Sequence, residues 1–343
     1  MAFEVSEYFE LYPESGIVCT QSILDGNFLY VAEIGWPAKI YKIDLTTKLE
    51  VTNITLDPEI IDYTGDGPAA MQDNDFLYFS CKGSSYRSVI VKIAKSSFSV
   101  ISILNISNVQ YWEWLSHAVY DSINNKAYFF TFSTIYKIDL ATFTVEGFLE
   151  CGANYYSISC IGIDSTSTYL YIGNNVSSSR LGKILISSFS IVNYIDTSSH
   201  AGVSSMAIDS TNGKIYLGTY PARDGAGAYI WKIDIATFTS DGSLHLPSGE
   251  VNLTSALVDP SCLYAYFLKY GNLLIRIDLK TFLRVDSIDI GGEEQQKNIN
   301  YDSSKNIYIV ANYDLRVAKI ITECQLLSIS SILMYKFRPV VIV

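Results

Sequence analysis

Positive charge is scarce in this chain. Lys and Arg together number 24 against 35 Asp and Glu, leaving a net charge of −11, and no run of basic residues occurs. Nucleic acid is bound by displacing phosphate counterions with clustered cations, so a nucleic-acid partner is excluded, and docking on an anionic membrane is disfavoured for the same reason. No stretch of about 20 apolar residues is present, so no membrane span is expected. The opening segment MAFEVSEYFELYPESG has neither a basic n-region nor an apolar h-region, so no secretory signal is expected. There is no CxxC pair and no dense cysteine framework. Cys19, Cys81, Cys151, Cys160, Cys262 and Cys324 read as small buried hydrophobes, and they leave the redox compartment and hence the localisation undecided. Also missing are a GxSxG elbow, an HExxH pair, a phosphate-binding loop and a dinucleotide fingerprint.

What the chain has in abundance is strand chemistry. It is 49% hydrophobic and 17% charged, which excludes a disordered or solvating segment, and it carries 26 Tyr and 16 Phe. One segment, hydrophobic–Lys/Arg–Ile followed by a turn, recurs as YKIDLTTKLEV, VKIAKSSFSV, YKIDLATFTV, GKILISSFSI, WKIDIATFTS, IRIDLKTFLR and AKIITECQLL. Its cations are Lys42, Lys92, Lys137, Lys183, Lys232, Arg276 and Lys319, spaced 43 to 50 residues apart. A second segment precedes each of these, an apolar run ending in Asp, then a polar turn and a strand with Tyr. The pairs are Asp25/Tyr30, Asp73/Tyr78, Asp121/Tyr128, Asp164/Tyr171, Asp209/Tyr216, Asp259/Tyr266 and Asp302/Tyr308. Two independent markers with one count define seven units.

Each unit holds four short strands, A to D: A ends at the Asp, B carries the Tyr, C carries the Lys-Ile and D follows the Thr/Ser-Phe turn. A sheet of this size cannot bury both faces alone, whereas radial packing buries each face against a neighbour. The expected fold is therefore all-β, a seven-bladed β-propeller of four-stranded antiparallel blades in one domain spanning 1–343. The expected blades are 17–56, 67–104, 116–150, 157–196, 203–245, 252–290 and 296–333. On the D…Y and Y-K-I-D-L segments the chain resembles repeat propellers of the YVTN, NHL and WD40-like kind, though it has no Gly-His or Trp-Asp dipeptide. That resemblance implies the fold and little about function. Two segments compete to close the ring, residues 2–11, where Phe3 and Val5 alternate with polar neighbours, and the apolar end 334–343.

Loop lengths point to a working face. The A–B turns barely vary, while the Tyr-to-Lys/Arg interval that contains the B–C loop runs from 9 to 16 residues. Scaffold turns are constrained and functional loops diverge, so the B–C/D–A face is expected to carry function. That face is aromatic. Trp36, the cluster Tyr111, Trp112 and Trp114, the pair Tyr155 and Tyr156, and Tyr220 fall in its loops, with Arg87, Arg180 and Arg223 beside them. Rings and guanidinium groups dominate interface hot spots, and flat rings beside hydrogen-bonding groups also suit sugars.

These residues are the candidate site for a protein or glycan partner. No catalytic residue, metal or cofactor is assigned. His117, His200 and His245 enter near D–A connections, with His245 on an outer strand away from the other two. The acidic stretch with Asp57, Glu59, Asp62 and Asp66 reads as a solvated loop, as do Glu293 and Glu294. Glu33 and Asn174 are the residues conceivable in a channel-mouth reaction. Asn53, Asn105, Asn175 and Asn252 begin sequons, a pattern that arises by chance in a Ser/Thr-rich chain. A non-catalytic binding scaffold ranks first. A structural subunit of a surface or virion assembly, forming an oligomer through the C-terminal tail, ranks second. A metal-assisted hydrolase or lyase ranks third.

Overall fold

A computed structural model of the chain describes residues 4–10, 18–34, 37–57, 61–63, 69–83, 88–106, 114–152, 157–176, 179–197, 202–220, 227–259, 261–291, 296–301, 306–311 and 316–321. Among them there is no helix, and the strands assort into seven antiparallel sheets, each a meander running A to D. Blade 3 is representative, with His117–Asp121, Lys126–Phe130, Thr134–Asp139 and Thr144–Glu150 in order. The A strands of the other blades are Val18–Asp25, Ala70–Gln72, Ile158–Ile163, Val203–Asp209, Leu253–Val258 and Gln296–Tyr301. Each A strand contacts the A strands of the blades on both sides, including the first against the last, so the ring is closed around an axis. The protein is a seven-bladed β-propeller.

The repeat markers explain themselves in the register. In every blade the Tyr of strand B lies directly across from the Lys or Arg of strand C, from Tyr30↔Lys42 to Tyr308↔Lys319. A β-bulge follows that cation in every C–D pairing, which adds twist and turns strand D toward the rim. The Asp that ends strand A caps its own turn. Asp121, fully buried, accepts from the backbone N–H of Asn124 (3.0 Å), and Asp209 accepts from that of Asn212 (2.9 Å). Such local bonds make Asp a turn former.

The C–D turns span four residues in blades 1 to 6, for example 140–143 and 235–238. Their last residue takes a left-handed φ between 45° and 61°: Lys48, Phe98, Phe143, Phe189, Phe238 and Phe282. A Phe there is costly in backbone terms, and the compensation lies across the seam. Each ring packs on the repeat Tyr of the preceding blade: Phe98 on Tyr30, Phe143 on Tyr78, Phe189 on Tyr128, Phe238 on Tyr171 and Phe282 on Tyr216. The centroids are 5.7–6.1 Å apart. The strand-C Lys joins them. Lys92 and Lys183 sit over Phe143 and Phe238 at 5.4 and 5.1 Å and point their ammonium groups at the Leu140 and Ile235 carbonyls. Tyr and the neighbour's Phe thus form a clasp at five of the seven seams, joined by Lys92, Lys183 and Lys232 at three of them, each aromatic pair contributing about 0.5–1.5 kcal/mol beyond area burial.

Apolar packing follows the same logic. Seven hydrophobic clusters lie between adjacent blades, and B strands are buried on both faces, as in Tyr169–Asn174, because alternate side chains face alternate neighbours. The seam between blades 7 and 1 pairs Tyr308, Val310 and Val317 with Leu24, Leu29, Val31 and Tyr41.

Blade 7 departs from the boundaries expected for it. Its sheet ends at Arg316–Ile321 and takes its fourth strand from Glu4–Glu10, which pairs antiparallel with it and repeats the bulge of the other D strands at Val5/Glu7. The N-terminal segment therefore closes the ring, and the competing 334–343 lies outside the described residues. Among the described residues blade 7 has no C–D turn that presents a Phe to the preceding blade. Arg276 instead folds onto its own strand D, holding Asp286 at 2.9 and 2.6 Å. At the next seam the turn position is Lys48, and its ammonium pairs with Glu7 of the closing strand. Blade 2 also differs. The stretch expected as a solvated acidic loop contains a short strand, Ile61–Tyr63, which pairs with Phe76–Gly83 alongside Ala70–Gln72, so strand A is split in two.

Phe238→Ala is expected to cost about 3 kcal/mol in urea unfolding, the range for emptying a buried aromatic site. Phe238→Gly loses the same ring but relieves the left-handed backbone, so it should unfold at higher urea than the Ala variant by about 1 kcal/mol. An Ala variant at least as stable as the Gly variant would contradict the clasp.

Candidate functional site

Antiparallel meanders send the B–C and D–A connections to one face, and there the A strands of blades 3 to 6 frame a cavity of about 440 Å³ at the mouth of the axis. The walls are built by a repeated device. In blades 4, 5 and 6 strand A carries a bulge after its first residue, at Ile158/Cys160, Val203/Ser205 and Leu253/Ser255. The extra residue is Ser159, Ser204 or Thr254, and bulges re-aim the side chain they carry. Ser159 donates its hydroxyl proton to the Val203 carbonyl of the next blade and Ser204 donates likewise to Leu253 at 2.7 Å, while Thr254 donates within its own blade, to Leu268 at 3.3 Å. The first two bonds stitch the inner strands together around the cavity.

Aromatic groups flank the mouth. Trp114, 36% exposed, meets Phe132 edge-on at 5.1 Å; His117 stacks flat on Phe130 at 5.1 Å; Tyr220 is 45% exposed. Ser116, Ser157, Ser205, Ser255 and Asn175 complete the polar part of the lining. No carboxylate, ammonium or guanidinium group is among the described lining residues.

The ion pairs seen in blades 3 and 5 lie elsewhere. Lys126 bridges Asp139 and Glu146, and its ammonium holds both carboxyls below their ordinary range. Lys214 bridges Asp234 and Asp241 and is itself pushed up to about 12. Both networks sit beside the A–B and C–D turns, at the opposite end of their strands from the cavity.

Of the residues singled out in the sequence, the structure brings Trp114 and Tyr220 to this cavity. Arg180 is turned away, its guanidinium stacked 4.5 Å over Tyr194 on the outer strand of blade 4, because the first residue of strand C faces strand D. Trp36, Arg87, Tyr111, Trp112, Tyr155, Tyr156 and Arg223 lie outside the described residues. His117 begins an inner strand while His245 ends an outer one, stacked on Tyr229 at 4.4 Å, and His200 lies outside the described residues. Among the described residues no three His, Cys, Asp or Glu side chains are grouped to hold a metal ion. No described helix is long and apolar enough to cross a membrane. The Ser and Thr residues of the lining were missed by sequence reading, although a small hydroxyl residue at the second position of three successive A strands was visible in SISC, VSSM and LTSA.

Compared with protein-family models and with curated proteins, the chain matches none of them.

Cys160 lies in the cavity wall, and burial pushes its thiol, like those of Cys81 and Cys151, up to about 12. Since the thiolate is the reactive form, iodoacetamide at pH 8 should leave these three cysteines unmodified in the folded protein and label them in urea, as mapped by mass spectrometry. Rapid native labelling of Cys160 would show that the wall opens.

Proposed function

We propose that this protein is a non-catalytic binding module that captures its partner, a protein or a glycan, on the B–C/D–A face, with the axial mouth at the centre of the contact. The reading is carried by one observation: solvent-accessible Trp114 and Tyr220 stand on a cavity walled by hydroxyl groups, on the face where the loops vary most. Exposed aromatic side chains on a rigid scaffold combine large contact area with low entropic cost, the usual composition of a binding hot spot. A concave site with apolar rings and a few polar groups is also the common form of a ligand pocket. The affinity with YVTN- and NHL-like repeat propellers belongs to the same proposal and rests on the repeat segments. The structural-subunit alternative depends on the C-terminal tail, which is outside the described residues.

The double variant Trp114→Ala/Tyr220→Ala tests the proposal. Immobilised wild type and variant are exposed to a glycan array and to a detergent extract of cell-surface proteins. The variant is expected to lose at least tenfold in binding to whatever the wild type retains, with an unchanged melting temperature. Equal retention by both proteins would remove the cavity from the function.

A further inference from the structure

We infer that the axial cavity is a subsite for an uncharged saccharide unit. This rests on the binding-module reading and narrows it to one chemical class. Three features of the lining carry it. The first is that, His117 apart, the described lining has no carboxylate, ammonium or guanidinium group, in a chain where 17% of residues are charged and the ion pairs of blades 3 and 5 are at the far end of the strands. A charged ligand entering the cavity would lose hydration without meeting a counter-ion, an unfavourable exchange in a partly enclosed site.

The second feature is the state of the hydroxyl groups. The Ser159, Ser204 and Thr254 protons are committed to the Val203, Leu253 and Leu268 carbonyls, so toward a ligand these groups offer lone pairs. A carboxylate or phosphate, which only accepts, would find acceptors at these positions. A sugar hydroxyl can donate to them. The Asn175 amide can serve as both donor and acceptor.

The third feature is the pairing of this polar wall with aromatic surface at Trp114 and Tyr220. The C–H-bearing face of a pyranose is apolar while its rim is polar, so a ligand of this kind presents one side to the rings and its hydroxyls to the wall. The volume, about 440 Å³, lies within the range of small-ligand pockets.

The experiment uses the full chain and a matched set of probes. Glucose, galactose, mannose, N-acetylglucosamine and their disaccharides are compared with galacturonic acid and glucosamine, by saturation-transfer NMR and by titration. At least one neutral sugar is expected to bind, tenfold or more tighter than its charged counterparts. Its saturation is expected to fall at least fivefold in Trp114→Ala, with an unchanged melting temperature. Tighter binding of glucosamine or galacturonic acid than of any neutral sugar would overturn the inference. So would the absence of neutral-sugar binding in a protein whose partner capture is still lost in Trp114→Ala/Tyr220→Ala. In that case the binding face stands and only its ligand class falls. If the double variant changes neither capture nor sugar binding, both readings fall.

Discussion

The seam between neighbouring blades is the constraint from which the rest of this molecule follows. A four-stranded sheet with apolar side chains on both faces has no stable form alone, and burial of those faces is the dominant favourable term. Here each seam is filled by one hydrophobic cluster, and five of the seven are locked near their A–B/C–D end by the clasp of Tyr and Phe. The clasp fixes the angle at which one blade meets the next, because it joins the middle of strand B in one sheet to the C–D turn of the following sheet. It also accounts for a strained choice, a Phe at left-handed φ in five successive turns. A glycine would relax the backbone there, but it would leave the Tyr of the preceding blade uncovered.

The two places where the clasp fails are both set by how the ring closes. Blade 7 borrows its outer strand from the N-terminal segment, and among the described residues it offers blade 6 no C–D turn. Arg276 then satisfies itself on Asp286 within its own sheet. One seam further on, Lys48 replaces the Phe and meets Glu7, an ion pair between half-exposed groups that contributes little energy but matches the closing strand to its place. Toward the axis, a different repeated device operates. The bulged Ser159 and Ser204 tie the inner strands of blades 4, 5 and 6 together and leave the small bulk of their side chains around the axial mouth. Stability and the candidate site thus occupy opposite ends of the same strands.

Much of the fold was legible in the sequence because the clasp is made of recurring residues. The Tyr, the Lys and the Asp are the visible members of hydrogen-bonded and stacked contacts, so their count gave the number of blades and their order gave the strands. The closing strand was harder to read, since Glu4–Glu10 carries none of the markers; its bulge opposite Ile320 and Lys319 is a property of pairing rather than of composition. The split strand A of blade 2 was hidden for a related reason, because Ile61–Tyr63 sits between acidic and Gly-rich residues that read as loop. At the site, size and aromaticity single out Trp114 and Tyr220, which line one cavity. The same criteria grouped Arg180 with them, although the pleat sends its side chain to the rim. The hydroxyl wall escaped notice because single Ser and Thr residues carry no signal until a bulge brings them to one surface.

The central claim is that the blades are stable only as a closed ring of mutually buried faces, with Glu4–Glu10 as the closing piece. Removal of residues 1–10 tests it most directly, followed by hydrogen exchange and urea unfolding against the full chain. Loss of that strand should lower the unfolding midpoint and strip protection first from blade 7 and from the Tyr308, Val310 and Val317 side of its seam with blade 1, while blades 3 to 5 keep theirs longer. An unchanged midpoint with full protection at that seam would contradict the account.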